Sequence, residues 1–437
     1  MRSRKGKKMA GQTKGGLHYG WVVVIASCLI MLFPCCFTFN AASVFYPYVA
    51  EALTEGNTAP VGLYITVVYL TMFVCLCILQ VGRLFDSKPS NLVLTVCVAC
   101  IGVAFLIMAY APVIQLFYVA GVLLGIGNSV ILYLLVPVMF GRWFKKNVST
   151  LVGVGMALTG VGGMIFSPVA TAIITAAGYS TAYLVYALVT LIVGIPCALL
   201  IKSRPEDKGL MPVGYDAAAE ASKSAKAVAK VDGVTVTTAL KQPVALILIA
   251  VYAACVNFGL TMNFYLPTYV KSLDAALVGA DPAMIGATLA SVVMFGSLIG
   301  KLILGWTNDK SVKGSVIFGL LSGIVGLALV LWGVQVNFFL AYIGGFLFGV
   351  FFASATTTTP AIARLAFGNL DYSKIYAYIT GVCALFAAFG STAWGLIYDA
   401  TGSFTGTFIV DMAIMAVAFL FGFGGLAVAK KLPRESR

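Results

Sequence analysis

Twelve apolar runs of twenty or more residues make up most of this 437-residue chain, near 20–49, 61–82, 91–110, 114–140, 148–177, 181–201, 243–270, 284–306, 314–334, 338–363, 373–398 and 405–429. We number them spans 1 to 12. Each is long enough to cross the ~30 Å hydrocarbon core of a bilayer, which takes about 20 helical residues. Hydrocarbon offers no partner to backbone N–H and C=O groups, so a crossing segment satisfies them within itself or in a closed barrel. The runs show no period-two alternation, which excludes strands and leaves helices. The expected fold class is an all-α membrane protein with twelve transmembrane helices. Composition agrees: 10% of residues are charged, against about 25% in soluble globular proteins.

The spans are organised as a duplication. Gly82-Arg-Leu-Phe-Asp86-Ser-Lys88 at the end of span 2 recurs 223 residues later as Gly305-Trp-Thr-Asn-Asp309-Lys310 at the end of span 8. Phe45-Tyr46-Pro47 in span 1 matches Phe264-Tyr265-Leu266-Pro267 in span 7. Gly121, Gly125 and Pro137 in span 4 match Gly345, Gly349 and Pro360 in span 10, and all offsets stay within 219 to 224. Collinear matches at equivalent depths indicate two six-helix halves, 20–201 and 243–430, related in parallel, a pattern typical of transporters. Residues 202–242 between them are polar, with Arg204-Pro-Glu-Asp-Lys-Gly-Leu210 followed by an Ala-, Lys- and Ser-rich stretch from Ala217 to Val231, and read as a partly helical linker. A basic tail, 1–19, and a short tail, 431–437, complete the chain.

Orientation follows from the basic residues. Of the 28 Lys and Arg, 27 flank the spans on one side and only Lys271 falls on the other, so both termini and the linker are expected in the cytoplasm. The formal charge of +13 then reports topology and anionic headgroups rather than nucleic acid. All ten cysteines lie inside apolar spans, where a thiol packs as a small hydrophobe; no disulfide, metal or cofactor is expected. Cys97 and Cys100 have a metal-like spacing but no His beside them.

These residues resemble the major facilitator superfamily, in which the Gly82…Asp86 and Gly305…Asp309 stretches match the loop motif of the two halves. Within it, His18-Tyr-Gly-Trp21, Arg142-Trp-Phe-Lys-Lys146, Arg204-Pro-Glu-Asp-Lys-Gly-Leu210, Asp232-Gly-Val-Thr-Val236 and Gly395-Leu-Ile-Tyr-Asp399-Ala-Thr-Gly402 resemble the oxalate:formate antiporter and monocarboxylate transporter branch. The resemblance implies the major facilitator fold and spans 1, 4, 7 and 10 lining a central cavity. It implies a multi-pass transporter of the cytoplasmic membrane, antiporter or symporter, and not an enzyme. The sequence also departs from that branch. A basic residue carried mid-span 8 by oxalate-type members is Met294 here, no cation stands within span 11, and the Arg that many members carry in span 4 is Gly121.

A transporter needs polar groups near the midplane, where they are costly unless they face a cavity or a neighbouring helix. The candidates for substrate contact are Asn40 and Tyr46 in span 1, Tyr69 in span 2, Asn128 and Tyr133 in span 4, and Asn257 and Asn263 in span 7, with Met294 in span 8, Thr357 in span 10 and Tyr376 in span 11. Thr356 to Thr359 before Pro360 read as a bend. Gly82, Asp86, Gly305 and Asp309 are the candidate gate: the glycines let helices approach, and each carboxylate can cap a helix or pair with a cation of the other half in one state only. Arg83, Arg142, Lys301 and Arg364 read as snorkelling side chains near the cytoplasmic ends. The glycines of span 5, from Gly153 to Gly163, read as close helix contacts without a P-loop lysine. Asp411 in span 12 is a possible proton-coupling site, with an interfacial or hydrogen-bonded Asp as the plainer reading.

The leading reading is a monomeric secondary transporter of a small organic acid, a monocarboxylate or larger organic anion, whose partners are that solute and the bilayer. The alternative is an exporter of larger amphipathic or aromatic compounds. The topology is tested with single cysteines at Ser3 and Lys271 and an impermeant thiol reagent: only Lys271→Cys should react in intact cells, and the reverse pattern would invert every side assignment.

Overall fold

The computed structural model describes residues 18–40, 42–55, 58–214, 232–271, 273 and 282–436. Ten described helices are long and apolar enough to cross a membrane, and the bent pair Leu63–Ile78 and Val81–Ser87, at 61°, supplies an eleventh span. One of the ten, Val148–Leu200, has 53 residues, about 80 Å of helix at 1.5 Å per residue, more than twice a hydrocarbon core. It breaks at Gly178, where φ is 83° and ψ 161°. The Tyr186 hydroxyl then donates to the Phe166 carbonyl at 3.2 Å, so the chain has folded back on itself. Spans 5 and 6 are therefore separate crossings, and the total is twelve.

Spans 1 and 7 differ from the uninterrupted runs read in the sequence. Span 1 is helical over Tyr19–Phe39, with a π-turn at Met31–Cys35 around Pro34, then makes a 3₁₀ turn at Ala42–Phe45 and restarts at Tyr46–Leu53. Span 7 repeats this with Val244–Gly259, a 3₁₀ turn at Leu260–Phe264 and Leu266–Lys271. The restarts begin beside Pro47 and Pro267; proline lacks an N–H and is best accommodated in the first turn of a helix. Span 10, by contrast, runs unbroken from Phe338 to Phe367 through Pro360, with the Thr359 hydroxyl reaching back to the Ser354 carbonyl at 3.4 Å.

Within each half, small residues set how closely helices approach. A Cβ on Gly349 of span 10 would lie 2.7 Å from the Ser297 amide nitrogen and 2.9 Å from the Gly296 carbonyl carbon of span 8. Between halves, span 2 packs on span 11 and span 5 on span 8, the two equivalent pairings that a parallel duplication generates. Span 2 bends at Gln80, whose φ is 50°, and there the Gln80 side-chain amide donates to the Tyr378 hydroxyl of span 11.

The basic loops meet on one face, called here the basic face. One end of the linker docks on the loop after span 4, with Val213 bonded to Trp143 and Lys145 at 2.8 and 3.0 Å. Its other end docks on the equivalent loop after span 10, where the Val234 amide donates to the Phe367 carbonyl at 2.8 Å and Asp232–Gly233 pairs with Glu435–Ser436. The linker middle, 215–231, and the basic tail to residue 17 lie outside the described residues.

The contact at Gly349 is testable. Gly349→Val should lower the thermal midpoint in detergent, reflecting about 1–3 kcal/mol of overpacking. Leu365→Ala, on a side chain that is 46% exposed, should leave the midpoint unchanged. Equal midpoints for the two variants would show that spans 8 and 10 are not held at backbone contact.

Candidate functional site

The repeated motifs place both carboxylates at joints between the halves. Asp309, ending span 8, accepts from the Ser149 amide at 2.9 Å, the Thr150 amide at 2.8 Å and the Thr150 hydroxyl at 2.7 Å. These are the first free N–H groups of span 5, whose own N-cap residue, Asn147, makes no capping bond. Asp309 is thus an N-cap supplied by the opposite half, favoured by the orphan donors and by the helix dipole. Asp86, in the equivalent place on span 2, pairs with Arg142 and accepts from the Ser373 hydroxyl at the start of span 11. The glycines permit this approach. A Cβ on Gly82 would lie 2.9 Å from the Ala377 Cβ, and one on Gly305 would lie 3.2 Å from the Cα atoms of Gly153 and Thr150. Arg364 reinforces the joint by donating to the Pro137 carbonyl of span 4 at 2.5 Å.

Deeper along the same pair of helices lies a group that the sequence reading misplaced. Lys301 does not snorkel: it is 6% exposed, and its ammonium donates to the Thr159 hydroxyl at 3.1 Å and the Met156 carbonyl at 3.3 Å, both on span 5. It lies nine residues before Lys310, about 13 Å from the basic end of span 8. Helical side chains lean toward their own N-terminus, which carries the amine further toward the midplane. Among the described residues no carboxylate forms an ion pair with it. Asn40 joins the cluster, donating to the Thr159 carbonyl at 2.5 Å, and Cys35 and Cys36 of span 1 lie within electrostatic range of the ammonium. Spans 1, 5 and 8 therefore converge on one cation held by neutral oxygens. Depth counted from Lys310 would have flagged it in the sequence.

The other candidates divide. Tyr133, Tyr69 and Tyr376 come together between spans 4, 2 and 11, with Tyr133 in electrostatic range of the other two; Tyr376 stacks on Tyr372 at 5.2 Å. Met294 is half-buried, seven residues and two helical turns before Lys301 and hence on the same face. Asn128 packs inside its half, donating to Thr38 at 3.2 Å and Leu124 at 2.9 Å. Asn257 donates to its own helix at Ala253, 2.9 Å away. Asn263 lies in the 3₁₀ turn of span 7, its side-chain oxygen buried without a partner among the described residues. Thr357 is buried, with its carbonyl accepting from Asn308 at 3.3 Å. The Tyr46 side chain lies outside the described residues. Asp411 is fully buried, and both carboxyl oxygens lack partners among the described residues.

A family model described as the Major Facilitator Superfamily matches residues 28–286, more than half of the sequence. The chain belongs to the Major Facilitator Superfamily. It is similar to the MFS-type transporter pynF of Aspergillus niger, at 22% identity over 299 residues, 68% of this chain; the match spans 62% of that relative, less than two thirds of its length. Its fold is similar to that of the proton:xylose symporter XylE bound to 6-bromo-6-deoxy-D-glucose, with a TM-score of 0.69 over 95% of this chain and 96% of that one at 13% identity. A double-tryptophan mutant of XylE gives 0.67 over 93% and 95%, also at 13% identity. At such identity the likeness establishes the fold alone. Membership of the Major Facilitator Superfamily agrees with the multi-pass, all-helical membrane fold described above.

The joints yield a prediction. Asp309→Ala removes the acceptor of three donors at the start of span 5, so a thiol at Ser149→Cys should label several-fold faster than with Asp309 intact. Asp86→Asn should slow solute exchange, while ligand affinity changes by less than about tenfold, a coupling of ~1.4 kcal/mol. Labelling and exchange rates equal to those of the parent protein would refute a gating role for these carboxylates.

Proposed function

We propose that this protein is a secondary transporter of small organic acids, carrying a monocarboxylate or a larger organic anion across the cytoplasmic membrane by alternating access. The observation that carries this reading is Lys301, a cation near mid-depth between the halves with no carboxylate partner among the described residues. An ammonium has three donors, and the two bonds to span 5 leave one for a solute carboxylate. An intramembrane charge is costly to maintain and is a functional-site hypothesis by default.

One cation matches one carboxylate. A compact dianion such as oxalate would keep a second, uncompensated charge in a site otherwise furnished with hydroxyls, amides and thiols, and such a charge is strongly penalised. A monoanion, or a larger acid whose apolar part meets the Tyr69, Tyr133 and Tyr376 cluster, suits the surroundings better. The motif residues shared with the oxalate:formate and monocarboxylate branch support the same substrate class. On this reading the basic face is cytoplasmic, and the bonds of Asp86 and Asp309 to the opposite half hold that side shut. Opening it breaks those bonds and separates span 5 from span 8, which also removes the Thr159 and Met156 oxygens from Lys301. Substrate release and gate opening are thereby linked through one interface.

Lactate is a suitable probe. Lys301→Met should weaken lactate binding about a hundredfold or more, in line with the 3–5 kcal/mol cost of breaking a buried charge pair, and Lys301→Arg should retain part of it. Met294→Arg, which adds a second cation two turns away on the same face, should shift selectivity toward oxalate. Micromolar oxalate binding by the unmodified protein, or full lactate transport by Lys301→Met, would overturn the assignment.

A further inference from the structure

We propose that Asp411 is a proton-binding site whose occupancy is tied to the break in span 7, making transport proton-coupled; the coupling, though not the proton site, rests on the organic-acid reading above. Asp411 lies seven residues into span 12 from Phe404, about 10 Å below the far end of that helix, and is fully buried inside the protein. Neither carboxyl oxygen has a hydrogen-bond partner among the described residues. The carboxyl rests on bare backbone of span 7: the position a Cβ on Gly259 would occupy is 2.8 Å from Asp411 Oδ1 and 3.2 Å from the Phe351 ring of span 10.

Among the described residues nothing forms an ion pair or hydrogen bond that stabilises a negative charge here. Span 12 packs against spans 7, 9, 10 and 11. Charged residues on these neighbours stand at their ends: Lys313 on span 9, Arg364 on span 10, and Lys374 and Asp399 on span 11. The side chain of Asp399, and that of Lys271 beyond span 7, lie outside the described residues. On the Gly259 face of span 7 the titratable groups are Cys255 and Tyr252, one and two turns toward the basic face. A buried carboxyl without a cation or donor takes the neutral, protonated form, because the charged form loses its hydration and gains nothing in return. The duplication supplies no counterpart of this residue either. The positions of span 6 that correspond through the internal offset of 219 to 224 are Ala187, Leu188, Val189, Thr190, Leu191 and Ile192, none of them acidic.

The residue facing Asp411 is also where span 7 changes character. Regular α-helix ends at Gly259, and the 3₁₀ turn Leu260–Phe264 begins at the next residue. The far-face segments of spans 1 and 7 are both joined to their helices through such a turn, which makes each turn a place where a segment can swing relative to its helix. Reorganisation at Gly259 uncovers the carboxyl to water or to freed backbone N–H groups, and either change favours ionisation. The proton is therefore held while the break has its present geometry and released when the break rearranges, which links proton release to the conformational cycle.

Two measurements test this. Infrared spectra of the purified protein in lipid nanodiscs at neutral pH should show a protonated carboxylic-acid carbonyl band that Asp411→Asn removes and Asp411→Glu shifts. This readout needs no solute and uses folded protein selected by gel filtration. A band unchanged in Asp411→Asn overturns the proton site, as does its absence from the unmodified protein. In proteoliposomes holding a pH-sensitive dye, lactate transport by the unmodified protein should move protons. Asp411→Asn should exchange radiolabelled lactate at a comparable rate with proton movement reduced at least about tenfold. Lactate transport by the unmodified protein without proton movement, or proton movement undiminished in Asp411→Asn, overturns the coupling. A protein that carries no lactate overturns the organic-acid reading together with the coupling that rests on it, and the infrared result still decides the proton site.

Discussion

The backbone contact between spans 5 and 8 organises the rest of the molecule. Gly153 and Gly305 face each other without side chains, which lets two antiparallel helices from opposite halves meet. Moving along the helices from that point, Asp309 reaches the first amides of span 5 in one direction and Lys301 reaches Met156 and Thr159 in the other. Both bonds run from a side chain of span 8 to main-chain or hydroxyl groups of span 5 across this contact. A helix cap and an intramembrane cation therefore share one helix pair, in close contact at Gly153 and Gly305.

This arrangement gives a physical meaning to the linkage between a gate and a binding site. Both groups sit on one rigid helix and bond to one other rigid helix, so separating the pair disrupts both at once. The second inter-half pairing, span 2 with span 11, is equivalent in topology but differs in chemistry. There the acceptor Asp86 meets a hydroxyl, on Ser373, and a cation from its own half, Arg142. The duplication thus preserves the positions of the carboxylates while the two joints use different partners, and only the 5–8 joint continues inward to a buried charge.

Polar groups at membrane depth sort by what surrounds them rather than by depth. Asn128 and Asn257 have the composition expected of a binding site, yet their amides donate to Thr38, Leu124 and Ala253 of adjacent or identical helices. Such bonds hold helices together without involving a solute. Lys301 and Asp411 are distinguished by lacking an opposite charge among the described residues, and a chain that keeps such groups buried must offset their cost through function or through a change of protonation.

The sequence alone determined the number of crossings, the helical class, the duplication and the positions of the motif carboxylates. Each follows from local rules: run length against bilayer thickness, backbone satisfaction in hydrocarbon, and recurrence at a constant offset. The breaks in spans 1 and 7 lie beside Pro47 and Pro267, but the apolar runs continue through them and read as uninterrupted. Only the tertiary structure decided what each polar residue faces. A helix turns about 100° per residue, so depth within a run says little about direction until neighbouring helices are placed. Lys301 could be counted as lying near an end because its long stem permits snorkelling, but the close approach of span 5 leaves the amine enclosed and supplies it with two oxygens. Asp411 could be read as interfacial because it lies near the far end of span 12, but it is fully buried, with Gly259 of span 7 against its carboxyl. In both cases the deciding quantity is the position of a neighbouring helix remote in sequence, set by glycines whose effect exists only when two helices meet.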